Sequence, residues 1–320
     1  MLADLNGLSR AVGHFFSSLA GLHWIPLFVA LGFYAVNLLA RSRGSFNVLR
    51  AAYPDQRFRW REVAGAYIAA YGANGVIPAR PGDLIRLVLL HRTVPTSTYP
   101  TLAASFLVEN IFDTAIGLVV LLFALTQGVF PKPPDFSKLG AFDLSYLAGH
   151  PRLLLFVITA TAVALLAAFA VLSARVKAFW LRVRQGFSIL ADRRRYLREV
   201  AALQFAGWLA RFMCYWFMLD AFGIGGSVLN VMLVFGVSVV ASLIPLTPGG
   251  AGVQQALLVT VFAGSASAAT VAAYSVGQQI AIAAFTFALG LAAVVGIFHF
   301  RSFKDVIRAG RQQQASAGQR

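Results

Sequence analysis

Arg80, Asp83 and Arg86 fall at every third residue of the stretch Ala73-Asn74-Gly75-Val76-Ile77-Pro78-Ala79-Arg80-Pro81-Gly82-Asp83-Leu84-Ile85-Arg86. Two guanidinium groups so spaced can clasp a phosphate through paired N–H donors. The two prolines and two glycines break any helix there. A helix restarting at Gly82 offers free backbone N–H groups to an anion and places Asp83 favourably in its first turn. The alternative is that Arg80 and Arg86 mark a membrane boundary and reach out to lipid head groups. The Pro/Gly flanks favour the phosphate reading, because broken backbone at membrane depth must be buried in protein or line a wet cavity.

A second break reads Ile244-Pro245-Leu246-Thr247-Pro248-Gly249-Gly250-Ala251-Gly252-Val253-Gln254-Gln255 and carries no charge. Two readings are equally open: amides of Gly249, Gly250 and Ala251 that bind an oxyanion, or a tight turn that needs glycine. Glu109 and Asp113 form an i,i+4 pair on one face of an apolar helix. A charge at the centre of a span costs at least about 2.5–3.5 kcal/mol, so both need partners, with Arg80, Arg86 and Arg211 as candidates. An internal ion pair joining two helices and a proton or cation site are both open. Asp220 lies near a helix end, where water reaches it.

The chain shows no nucleophile elbow, Walker loop, zinc-binding helix or dinucleotide fingerprint. The one cysteine, Cys214, lies in an apolar helix, and the five histidines form no ligand pair. No metal, no cofactor and no catalytic residue are expected, and the protein is not expected to be an enzyme.

The elements that must position these residues follow from composition. Of 320 residues, 58% are hydrophobic and 12% charged, about half the charge of a soluble domain; the mean hydropathy is +0.72. The apolar runs approach the roughly 20 residues that span a bilayer as helix. Membrane segments are expected near Trp24–Ala40, Glu62–Leu90 (interrupted), Pro100–Gln127, Pro151–Ala174, Glu199–Phe222, Val228–Phe262 (interrupted) and Ala269–His299. Most of the 27 lysines and arginines fall in 41–61, 175–198 and the tail 300–320; the first two read as cytoplasmic linkers and the tail as cytoplasmic. The Pro-rich loop 128–150 reads as external, which puts the N-terminus outside. The net charge of +15 is then a topology signal, not a nucleic-acid footprint. The stretch 175–198 alternates basic with apolar residues and reads as an amphipathic helix on an anionic leaflet.

This orientation leaves both ends of 62–90 inside and both ends of 228–262 outside. Each is too short for two full spans, so each reads as a re-entrant hairpin. Span, hairpin, span occurs at about 24–127 and again, inverted, at about 199–299. The alternative is that each hairpin is one long kinked span. The expected architecture is all-α: a single polytopic membrane domain over 1–320, with two inverted repeats, two re-entrant hairpins and a basic tail 300–320.

The first break resembles the N-x-x-P-A-R-x-G-E/D-x-x-R signature of the lysylphosphatidylglycerol synthase transmembrane-region (flippase-like) family. Pro245–Val253 is similar to its second signature, and Glu109 with Asp113 to its E-R-x-x-D element. The likeness runs from about Trp24 to Phe298. It implies a multi-pass plasma-membrane protein linked to moving lipids between leaflets or to lipid-linked sugar and hopanoid pathways. There are departures. Asn110 stands where the family has arginine, and Gln254-Gln255 where it has glutamate. Gln278 or Gln279 replaces an arginine, so Gln255 with Gln278/Gln279 would be an uncharged polar pair. Family members also tend to have a further N-terminal span.

The function so implied is a flippase- or scramblase-like transporter of an anionic phospholipid or lipid-linked precursor. Asn74, Arg80, Arg86, Gly249, Gly250 and Ala251 would hold the head-group phosphate. Asp83, Glu109, Asp113 and Arg211 would supply counter-charge or a proton site. Expected partners are anionic membrane lipids and an envelope-biosynthesis enzyme. The rivals are an ion-coupled small-solute transporter, a scaffold for an envelope enzyme and a lipid-linked transferase.

Overall fold

A computed structural model of the chain describes residues 21–77, 81–94, 96–127, 180–242, 253–303 and 305–308. The protein is all-α, and the described residues hold no strand. Helix α1 runs Trp24–Ala52. It passes well beyond the expected end at Ala40, because no breaker intervenes until Pro54, whose ring disfavours helix at Tyr53. Arg41 and Arg43 are therefore helical residues, not loop residues. Helix α2 (Trp60–Val76) opens where the Arg59 N–H donates to Glu62 Oε2 (3.0 Å), and α3 (Gly82–Thr93) restarts at the glycine expected from sequence. Helix α4 (Tyr99–Thr126) is capped by the Thr98 side chain.

The expected span 151–174 and the loop 128–150 lie outside the described residues. The basic stretch is not one amphipathic helix. Helix at 180–186 gives way to a 3-10 turn (Ser188–Ala191), a single α-turn (Arg193–Tyr196) and a π-turn (Leu197–Ala201). It is also docked on protein. Thr101 Oγ1 donates to the Arg182 carbonyl (2.9 Å) and Gln185 Nε2 to that of Ala52 (2.8 Å), while Ile189 is buried with Val48, Val108 and Val200. Trp180 and Leu181 remain exposed.

Helix α5 (Ala202–Ala221) is followed by α6 (Val228–Ser242), α7 (Val253–Val261) and α8 (Ala268–Gly296), the last capped by Ser267. Among the described residues, three helices are long and apolar enough to cross a membrane: α1, α4 and α8. Their outer faces carry exposed large apolar residues, among them Phe28, Val36, Leu118, Leu122 and Ile280, as lipid contact requires. At about 1.5 Å per residue, α2 and α3 measure roughly 25 and 18 Å, each short of the ~30 Å hydrocarbon core.

Long helix, short pair, long helix thus occurs twice, and the packing exchanges partners between the halves. Helix α1 packs against α5, α2 against α8 and α6 against α4; within each half the arms of the short pair pack together. Helices α1 and α5 are antiparallel. Asn47 Nδ2 donates to the Glu199 carbonyl at one end (2.7 Å) and the His23 N–H to that of Ala221 at the other (2.9 Å). Between α2 and α8 the approach is close enough that a Cβ at Gly72 would lie 2.4 Å from the Thr286 carbonyl oxygen. Small residues at such crossings let membrane helices associate without a hydrophobic driving force.

Candidate functional site

Three helices bring their charges to one place inside the first half, and a fourth adds a tyrosine. Arg86, on α3, donates from Nη2 to Glu109 Oε1 on α4 (2.6 Å) and to Ser45 Oγ on α1 (2.5 Å). The Arg86 and Glu109 side chains are only 8% and 4% exposed. Aromatic faces close the guanidinium in, with Phe106 at 4.0 Å and Tyr67 at 4.6 Å, an arrangement favourable for a desolvated cation. Arg86 Nε has no partner among the described residues.

One helical turn away, Arg41 grips both carboxylate oxygens of Asp113, with Nη1 at 2.9 Å from Oδ1 and Nη2 on Oδ2. Arg41 Nε donates to the Tyr67 hydroxyl (2.9 Å), which donates on to Tyr71 (3.2 Å). Tyr67 thus touches both ion pairs. The Arg41 stem runs over Gly207 of α5, where a Cβ would lie 2.8 Å from its Cγ.

Glu109 and Asp113 both pair with arginine, as charges inside an apolar helix must; Glu109 finds Arg86, one of the three candidates, and Asp113 finds Arg41, which was not among them. Arg211 pairs with neither. Partly buried on α5, it faces the rings of Phe235 (5.5 Å) and Tyr215 (5.7 Å), with the phenols of Tyr34 and Tyr71 nearby. Among the described residues no carboxylate lies within ion-pair distance of it.

Asn74 is occupied differently from expectation. Its Oδ1 accepts the Gly82 N–H (2.7 Å), so the end of α2 caps the start of α3, and one of the N–H groups expected to be free for an anion is already bonded. Asp83 is exposed and makes no ion pair among the described residues. Arg80, Gly249, Gly250 and Ala251 lie outside the described residues. Asp220 Oδ1 accepts the Gly226 N–H (2.5 Å) and so fastens the turn into α6.

The amides of the second half do meet. Gln279 Nε2 donates to Gln254 Oε1 (3.1 Å), Gln255 Nε2 to Gln279 Oε1 (3.5 Å) and Gln254 Nε2 to Ser238 Oγ (3.3 Å). Gln278 is buried beside them in sequence, and its Oε1 has no partner among the described residues. Among the described residues, no group of histidine, cysteine and acidic residues could hold a metal, and Cys214 is buried.

The sequence reading missed Arg41, Ser45 and Tyr67 as members of the site. Arg41 carried a usable signal, since it follows an apolar run on a helix that nothing stops. Tyr67 carried none beyond being a polar aromatic in an apolar stretch.

No curated protein and no solved structure shows significant similarity to the chain. The profile of one family, described as the lysylphosphatidylglycerol synthase TM region, matches residues 8–302. Two ion pairs on apolar helices, one of them buried, and a match over nearly the whole length make this chain a membrane protein of the lysylphosphatidylglycerol synthase TM-region family.

Proposed function

We propose that the protein carries an anionic phospholipid or lipid-linked precursor between the leaflets of the plasma membrane, without covalent chemistry on it. The observation that carries this is the paired cluster Arg86–Glu109 and Arg41–Asp113 joined through Tyr67. Arginine at membrane depth is costly, and where it occurs with a carboxylate on neighbouring helices it marks a pathway for charge. Each guanidinium is neutralised at rest. A head-group phosphate can displace Glu109 or Asp113 and take over the same bidentate geometry, and the displaced carboxylate can accept a proton. The Nε of Arg86, without a partner among the described residues, offers one further donor. Arg80 belongs to this reading as a second clasp, and the amides of Gly249, Gly250 and Ala251 as a contact on the other side.

The reading includes two inverted repeats whose hairpins enter from opposite faces, and a cytoplasmic C-terminus. The twofold recurrence of the helix order and the exchange of packing partners support it. Such repeats place the substrate where the broken helices meet.

The test is leaflet exchange of fluorescent phosphatidylglycerol in vesicles holding the purified protein. Wild type should speed exchange over protein-free vesicles, and Arg86→Gln and Arg41→Gln should abolish the gain. Equal rates for wild type and empty vesicles would remove the transport reading and leave the scaffold and solute-carrier readings.

A further inference from the structure

Corresponding positions in the two halves differ by a nearly constant number. Helices α2 and α6 begin at Trp60 and Val228, 168 residues apart. Helices α4 and α8 begin at Tyr99 and Ala268, 169 apart. Helices α1 and α5 each contain Leu-Ala-Arg, ending at Arg41 and at Arg211, 170 apart. The packing respects the same correspondence. For α2 on α8 there is α6 on α4, for α3 on α4 there is α7 on α8, and for α1 on α2 there is α5 on α6.

Each part of the ionic cluster therefore has a counterpart. Tyr67 corresponds to Phe235, and Arg211 faces Phe235 as Arg41 bonds to Tyr67. Arg86 and Glu109 correspond to Gln254/Gln255 and Gln278/Gln279, and an arginine–carboxylate pair is answered by an amide cluster. Asp113 corresponds to Ile282, flanked by Ala281 and Ala283. Arg211 is thus the copy of Arg41 whose carboxylate has been replaced by hydrocarbon.

We propose that Arg211 is the cation of a second anion subsite, filled by a phosphate-class oxyanion in the place where its twin holds Asp113. The proposal rests on the transport reading and deepens it. Arg211 lies one turn beyond Gly207, which packs against Asn37 and Arg41, and so at mid-length of α1. A guanidinium at that depth is unfavourable without a counter-charge, and no described carboxylate supplies one. An oxyanion supplies the missing charge and two acceptors for the guanidinium fork. The phenols of Tyr215, Tyr34 and Tyr71 can donate to its remaining oxygens. Tyr71 also ends the chain that begins at Arg41 and passes through Tyr67, so hydroxyl groups link the two cation sites. The difference that matters for a ligand is that an anion must displace a carboxylate at Arg41 or Arg86 and, among the described residues, displaces none at Arg211. Arg211 is the site that holds the ligand at rest, and the first-half cluster is the site that exchanges it.

The test uses the full chain in detergent and the variants Arg211→Gln, Arg211→Lys and Ile282→Asp, the last restoring the missing acid. Short-chain phosphatidylglycerol and inorganic phosphate are titrated separately, read by tryptophan fluorescence, since Trp208 packs on Phe235 beside the site. Wild type should bind. Arg211→Gln and Ile282→Asp should each weaken binding about ten-fold or more, the worth of one charge-assisted contact, and Arg211→Lys should keep part of it. Binding of the lipid alone identifies a head-group phosphate and equal binding of inorganic phosphate a soluble one; either upholds the subsite. Should Arg211→Gln fail to fold, Ile282→Asp decides, because it keeps Arg211 and gives it a partner. No binding by wild type, or equal binding by wild type and Ile282→Asp, overturns the proposal. The transport reading fails separately: a wild type that binds through Arg211 but moves no lipid between leaflets keeps the subsite and loses the transporter.

Discussion

Arg86 and Glu109 expose less than a tenth of their side chains, so neither can be removed alone without leaving the other charged in a dry site. Arg86→Ala is expected to cost about 3–5 kcal/mol, the range for breaking a buried pair. Replacing both by apolar residues, Arg86→Met with Glu109→Leu, should cost less than either single change, because no charge is stranded. Unfolding in detergent measures the stabilities. The double variant should nonetheless show no leaflet exchange, which separates the role of the pair in transport from its role in folding. That Glu109 and Asp113 need cations was legible from their place in an apolar helix. Arg86 was among the candidate cations, but Arg41 was not. Arg41 follows the apolar run Trp24–Ala40 and resembles a linker residue, since hydropathy reports where lipid contact ends and not where the helix ends. Burial of Arg41 depends on α5 offering Gly207 across from it, a contact between residues far apart in sequence.

At the scale of the element, the helix breaks were the most legible features, because proline and glycine act locally. Their partners were not legible. Asn74 looked like a ligand residue, yet its side chain caps α3 across the turn. Asn74→Ala should cost about 1 kcal/mol, as loss of an N-terminal cap does, and Asn74→Asp should keep most of that stability. The crossing of α2 with α8 gives a sharper contrast. A Cβ at Gly72 would meet the Thr286 carbonyl at 2.4 Å, whereas at Gly117 nothing lies within 4 Å. Gly72→Ala should destabilise by about 1–3 kcal/mol, as overpacking does, and Gly117→Ala should be neutral or stabilise by under about 1 kcal/mol. Melting temperatures of the two variants in one detergent decide it. Equal effects would mean that α2 and α8 do not approach as closely as the glycine requires.

For the whole molecule, the arrangement of the hairpins carries the most consequence. The antiparallel pairing of α1 with α5 requires that any twofold axis relating the halves lie across the helices, in the plane of the membrane. An inverted repeat has that property and a parallel repeat does not. Single cysteines in a Cys214→Ala background test it, since Cys214 is fully buried and its loss removes the one native thiol. Asp55 and Thr96 flank the first hairpin and Val228 and Ser265 the second, and all four are exposed. In intact cells a membrane-impermeant maleimide should label Val228→Cys and Ser265→Cys and spare Asp55→Cys and Thr96→Cys, which should react only after the cells are opened. If Asp55→Cys and Thr96→Cys label from opposite faces, α2 and α3 form one kinked span. Arg86 would then have no counterpart across a midplane, and the correspondence between Arg41 and Arg211 would lose its geometric basis. Labelling of all four from the same face would be equally decisive, because it leaves the hairpins in place and removes the inversion that an alternating pathway between two leaflets needs.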